Sequence, residues 1–248
     1  MTDASSENGS ANTTAADPFA EARRALIEAA VPHVVFDGWS AETLERAVED
    51  IGIDEQTAAM LFPRGGVDMA LAFHDLMDAR LSEELAGADL AAMKIRERVT
   101  HCVRRRLELI ADERDAVRRG ATLLALPIYA ADSARAIWQT ADMIWDACGD
   151  TAEDYNWYTK RAILSSVYSA TLLYWLGDTS EGSSATWAFL DRRIENVMQV
   201  EKAKAAVEKN PLTRAAFSPL MRALSMVRAP GVRRAAPPEG DGDTQPAG

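Results

Sequence analysis

The stretch DGWSAETLERAVEDIGIDEQTAAMLFPRGG, residues 37–66, sets the architecture. Ser40 stands where a side-chain oxygen can cap a helix. Leu44, Ala47, Val48 and Ile51 follow at the i, i+3, i+4, i+7 spacing of one buried stripe, and Gly52 stops the helix. Asp54 can cap a second, short helix ending near Leu61, and Phe62-Pro63-Arg64-Gly65-Gly66 turns the chain into a long helix. Upstream, Asp17-Pro18 is a cap followed by proline at the first helical position. Phe19, Leu26 and Ala30 mark one face of that first helix, and Pro32 is expected to bend or end it.

Downstream the helical period continues. Ala70, Phe73, His74, Met77, Leu81 and Leu85 form one stripe, and Ile95, Val99, Cys102, Val103, Leu107 and Ile110 the next. A shorter helix over 116–125 stops before Pro127, and another carries Ile137, Ala141, Ile144, Trp145 and Cys148 before Gly149. Residues 162–176 hold no charge on any face, which predicts a central helix covered on all sides. That run falls short of the roughly 20 residues needed to cross a bilayer core. Trp187, Leu190, Ile194 and Val197 form the last clear stripe. No run alternates apolar and polar residues over strand length, so the chain is expected to be all-α, with about ten helices. The predicted division is a disordered tail over 1–17, a three-helix segment over 18–66, a helical ligand domain over 67–207, an amphipathic helix over 208–230 and a disordered tail over 231–248.

The three-helix segment resembles the helix-turn-helix of TetR-type repressors, and that resemblance would imply operator binding. Phosphate neutralisation by Lys and Arg supplies nearly all non-specific affinity for DNA. Here residues 37–61 hold Asp37, Glu42, Glu45, Glu49, Asp50, Asp54 and Glu55 against the single base Arg46. The expectation is a structural segment and no nucleic-acid partner. A ligand-responsive TetR-type repressor is the alternative reading.

Five of the six tryptophans and all five tyrosines lie between residues 129 and 187. For any one of them a place in an aromatic core is the better account. Together they suggest rings walling an elongated apolar pocket, for which Ile137, Ala141, Ile144, Leu164, Tyr168, Leu172, Trp187 and Leu190 are the candidate lipid-binding residues. A cluster at the start of the uncharged helix, Asp154, Trp157, Tyr158, Lys160 and Arg161, admits both helix capping with local packing and a partner-binding patch.

Six motifs in order carry a further resemblance: Pro32-His33-Val34, Phe36-Asp37-Gly38-Trp39, Leu61-Phe62-Pro63-Arg64-Gly65, Asn156-Trp157-Tyr158-Thr159-Lys160-Arg161, Thr171-Leu172-Leu173-Tyr174-Trp175 and the run 186–194 that opens Thr186-Trp187. They are similar to the ubiquinone-biosynthesis lipid-binding accessory protein family, over roughly residues 20–205. The resemblance implies a TetR-like fold without repressor activity. It also implies an isoprenoid or phospholipid ligand held between the fifth and ninth helices, and assistance to the hydroxylase that acts on demethoxyubiquinone. It further implies that Asp154, Trp157 and Tyr158 belong to the surface that contacts the hydroxylase. A homodimer follows from analogy with the fold alone.

Net charge is −11, yet residues 202–234 hold eight Lys and Arg against Glu208 alone. From Asn210-Pro211 onward, Leu212, Leu220, Leu224 and Val227 fall on one side and Arg214, Arg222 and Arg228 on another, the pattern of an interfacial membrane helix. The first twenty residues hold no Lys or Arg and no apolar run, from which a bacterial cytoplasmic protein attached to the inner membrane is expected. His33, His74 and His101 are scattered, Cys102 and Cys148 lack metal-ligand spacing, and no phosphate loop occurs. The expectation is therefore no enzyme, no cofactor and no metal.

Overall fold

A computed structural model describes residues 18–209. Its α-helices are α1 (Pro18–Asp37), α2 (Ala41–Ile51), α3 (Glu55–Leu61), α4 (Gly66–Ala86), α5 (Ile95–Glu108), α6 (Arg114–Leu124), α7 (Ala130–Ala147), α8 (Tyr155–Gly177) and α9 (Ser184–Lys209). Short 3-10 turns at Leu90–Ala92, Pro127–Tyr129 and Glu181–Ser183 connect some of them. Among the described residues no helix is long and apolar enough to cross a membrane. The proposed amphipathic helix, with Leu212, Arg214, Leu220, Arg222, Leu224, Val227 and Arg228, lies outside the described residues, as do both tails.

The N-terminal segment forms as its caps dictate. Ser40 accepts a hydrogen bond from the Thr43 amide at 3.2 Å, and Asp54 accepts one from the Thr57 amide at 2.9 Å. Gly52 closes α2 in the left-handed region at φ 66°. Pro32 does not end the first helix: α1 runs through it to Asp37. A proline deletes one intrahelical hydrogen bond, and α1 continues past it because Leu26, Ile27, Ala30 and Val34 are buried where it packs on α2, α4 and α6. His33 accordingly sits within α1 and pairs with Asp50 of α2 at 2.7 Å.

Trp39 ties this segment to the rest. Its ring is buried and packs on Phe73 at a centroid distance of 5.5 Å, and its indole N–H donates to the Ala116 carbonyl at 3.0 Å. In the C-terminal part, α7 packs on α4 and α8, and α8 on α9. The uncharged stretch 162–176 of α8 is not covered on all sides. Arg161, Leu164, Val167, Tyr168, Thr171 and Trp175 are buried, but Leu173 and Tyr174 remain 65% and 40% exposed. The helix packs on α5, α7 and α9, and these leave the side that carries Leu173 and Tyr174 open.

Candidate functional site

A cavity of about 240 Å³ opens among α4, α5, α6, α7 and α8, with Trp39 at one wall. Its apolar lining includes Phe73, Ile110, Val117, Leu124, Ile137 and Leu172, and exposed Leu173 forms part of the rim. Ligand pockets of drug size span roughly 300–1,000 Å³, so the space takes a portion of a lipid and not a whole long-chain one.

One wall of the cavity is polar. His74 of α4 and Arg106 of α5 line it, and Asp78, one turn on from His74, and Thr140 of α7 are their hydrogen-bonding partners. The Thr140 hydroxyl donates to Asp78 Oδ2 at 2.7 Å, so His74 Nε2, 2.8 Å from the Thr140 hydroxyl oxygen, carries the ring proton and donates to that hydroxyl. Arg106 Nε donates to Asp78 Oδ1 at 2.6 Å, and Nη2 donates to the His74 carbonyl at 3.1 Å. Burial pushes the His74 pKa down to about 4, with the Arg106 charge adding to the effect against the attraction of Asp78. The imidazole is therefore neutral at physiological pH. Burial likewise lifts the phenol of Tyr168, which lines the cavity beside this group. Among the described residues no group of three or more His, Cys, Asp or Glu side chains could hold a metal ion, and Cys102 and Cys148 are buried free thiols.

Of the eight residues expected to line a lipid site, the structure brings together Ile137, Tyr168 and Leu172. Leu164 borders a different and smaller void of about 70 Å³ between α5, α7, α8 and α9. Ala141, Ile144 and Leu190 are buried in the packed core. Trp187 stacks under Arg104 at 4.8 Å and donates through its indole N–H to the Gly182 carbonyl. The space expected between the fifth and ninth helices is thus largely closed, because α9 meets α5 and α8 with large side chains, and the roomier cavity lies toward α4 and α6. Pattern reading passed over the lining contributed by Trp39, Arg106 and α6. A signal existed for Arg106, which sits on the stripe Cys102, Val103, Leu107, Ile110 where an apolar residue was due.

The cluster at the start of α8 divides. Asp154 caps the helix by accepting from the Asn156 amide at 2.9 Å. Trp138, Trp157 and Tyr158 group together, with Trp157 edge-on to Tyr158 at 4.8 Å, and Tyr158 is 37% exposed. Arg161 is not a surface group: it is 1% exposed, its guanidinium lies 4.0 Å over the Trp157 ring, and it pairs with Asp142, Asp146 and Asp150. Lys160 reaches Asp150 as well, at 2.6 Å. Three carboxylates spaced four residues apart, two near the end of α7 and Asp150 just past it, draw the guanidinium inward, which the linear spacing of Lys160-Arg161 did not reveal.

Residues 130–201, which include α7, α8 and much of α9, match the family model described as COQ9. This region is similar to the COQ9 domain. The chain is also similar to whole proteins that carry it. It is 30% identical over 182 residues to the ubiquinone biosynthesis protein COQ9, mitochondrial, of Rattus norvegicus, covering 71% of this chain and 58% of that protein. It is 27% identical over 190 residues to the probable ubiquinone biosynthesis protein coq9, mitochondrial, of Dictyostelium discoideum, covering 74% and 62%. The chain thus spans about three fifths of the length of these relatives. The fold as a whole is similar to that of a TetR transcriptional regulator from Nitrosomonas europaea, at a TM-score of 0.59 and 20% identity, covering 71% of this chain and 97% of that one. The helical scaffold is TetR-like.

The comparison corrects one expectation. These COQ9 relatives are mitochondrial proteins, which overturns the bacterial cytoplasmic and inner-membrane location drawn from the first twenty residues. The composition of one end says nothing about location when the matched relatives extend well beyond the aligned part.

Proposed function

We propose that this COQ9-domain protein is a non-catalytic lipid-binding protein of ubiquinone biosynthesis, holding an isoprenoid or phospholipid and presenting it to the hydroxylase acting on demethoxyubiquinone. The observation that carries the reading is the half-enclosed cavity with an apolar wall and a buried polar group, to which the COQ9 domain contributes Ile137, Tyr168 and Leu172. An apolar pocket with few polar groups lowers the cost of taking a hydrocarbon tail from a bilayer. The hydroxylase would meet the aromatic group of Trp138, Trp157 and Tyr158, a residue class enriched at interfaces. A homodimer would use the open side of α8, where Tyr174 stacks on Phe189 at 4.5 Å beside exposed Leu173. The basic residues of 202–234 would attach the protein to an anionic membrane surface.

The rival reading is a ligand-responsive repressor, favoured by the likeness to the Nitrosomonas europaea regulator. Against it, the exposed face of α2 and α3 presents Glu42, Glu45, Glu49, Asp50, Asp54 and Glu55, while Arg46 is held by Glu42 and Asp37. The test is native mass spectrometry followed by lipid extraction, on the wild-type chain and on Ala121→Trp, which fills the cavity from α6. Bound lipid in the first and none in a folded second is the expected result. Lipid retained at equal occupancy in the variant places the ligand elsewhere.

A further inference from the structure

Arg106 lines the cavity with its hydrogen-bonding capacity incompletely used. The residue is 1% exposed, two of its nitrogens are committed to Asp78 and to the His74 carbonyl, and Nη1 has no partner. Buried donors are nearly always satisfied, and an unpaired guanidinium N–H on a residue that lines a cavity is a place for a ligand acceptor.

The charges around that nitrogen decide what kind of acceptor. Asp78 balances the guanidinium directly, Asp75 lies within its electrostatic reach, His74 is neutral, and Tyr168 adds a phenol. Arg23 bears on Asp75 from α1. An anionic head would approach two carboxylates for one partly spent cation, out of water, where like charges repel strongly. A neutral oxygen meets no such opposition and still receives a charge-assisted hydrogen bond.

We propose that Arg106 reads the head of the bound amphiphile, Nη1 donating to a neutral oxygen acceptor and disfavouring phosphate or carboxylate heads. The tail then runs along Ile137 and Leu172 toward Leu124 and Leu173. This assignment rests on the cavity being the lipid site, and it adds a selection among lipids that an apolar wall alone cannot make.

The test titrates delipidated full-length protein with a long-chain methyl ketone, the n-alkane of equal length and the monoalkyl phosphate of equal length, delivered from cyclodextrin. Dissociation constants are read from tryptophan emission, since Trp39 is part of the wall. The ketone binds about tenfold tighter than the alkane, and the phosphate no tighter than the alkane. In Arg106→Lys the ratio of ketone to alkane affinity falls to within about twofold of unity. Should that variant not fold, Arg106→Met combined with Asp78→Leu removes the ion pair as a unit, and the same loss of ratio is expected. Equal binding of ketone and alkane by the wild type, tightest binding of the phosphate, or a preference surviving both substitutions overturns the head assignment while leaving the cavity as a lipid site. Binding of none of the three overturns both.

Discussion

The carbonyl oxygen of Trp39 lies 1.9 Å from the point where a Cβ on Gly66 would stand. The start of α4 is thus pressed against the backbone that enters α2, and this contact sets the angle at which the N-terminal segment meets the rest of the protein. Backbone, unlike a flexible side chain, cannot move aside.

Gly66→Ala is therefore expected to destabilise the fold by about 3 kcal/mol, at the upper end of ordinary overpacking costs. Gly177→Ala at the end of α8, where nothing lies within 4 Å of the new carbon, changes stability by less than about 0.5 kcal/mol. Urea midpoints of the two variants measure the contrast. Equal midpoints would show that the Trp39–Gly66 approach is not a constraint.

Arg161→Met leaves Asp142, Asp146 and Asp150 without the cation that gathers them. Breaking a buried ion pair from one side costs about 3–5 kcal/mol. For Asp150, burial raises the carboxyl pKa, but hydrogen bonds from Lys160 and Arg161 outweigh it and hold the group below its usual 3.8. Its contribution is present above that value and is lost as pH falls through the folded pKa, so wild type loses an acid-sensitive increment that the variant lacks. Chemical denaturation of both proteins from neutral pH to below pH 4 reads both effects.

His74 produces a slope in a different window. Its pKa is lowered by burial from 6.5 to about 4, so the unfolded chain binds the extra proton first. Stability from this group is complete above pH 6.5, falls as pH drops from 6.5 to 4, and is flat below that. The full change is about 3 kcal/mol, at roughly 1.4 kcal/mol per tenfold change in proton affinity. His74→Gln removes the slope in that interval, and a thermal melting series between pH 4 and pH 7 detects its loss. An unchanged slope assigns the effect to other groups.

Deleting residues 208–234 should abolish sedimentation with anionic liposomes while leaving the melting temperature of the helical body unchanged. Each Lys or Arg near such a surface contributes about 1 kcal/mol, and added salt weakens the attraction. Sedimentation that persists after deletion, or is indifferent to salt, moves the membrane contact to another part of the chain.

The helices were legible because their signals are local. Ser40 and Asp54 announced α2 and α3, and Gly52 announced the stop between them. The acid face of the three-helix segment was equally plain, since charge is counted residue by residue. Pro32 misled, because a local rule about one missing hydrogen bond was overridden by the burial of Val34 and Ala30 against neighbouring helices. Residues 162–176 misled in the opposite direction: absence of charge foretold burial on every side, and Leu173 and Tyr174 stand exposed.

The site shows the same division between near and far. Ile137, Tyr168 and Leu172 were readable as apolar residues in an aromatic-rich region, but nothing in their spacing joins them to Trp39 or to Arg106. Arg161, three positions beyond the aromatic pair and expected beside it at the surface, turned inward to carboxylates more than ten residues earlier in the chain.

Sequence alone determined that this chain is helical, where the caps of α2 and α3 lie, that its N-terminal segment is acidic, and that its motifs resemble a ubiquinone-biosynthesis family. Each of these depends on neighbours within a few turns, where periodicity and capping act. Only the tertiary structure decided where the open space lies and which polar groups face it, because a cavity is what remains after α4, α5, α6, α7 and α8 have packed. Its volume depends on side chains separated by more than a hundred residues, whose meeting no local pattern records.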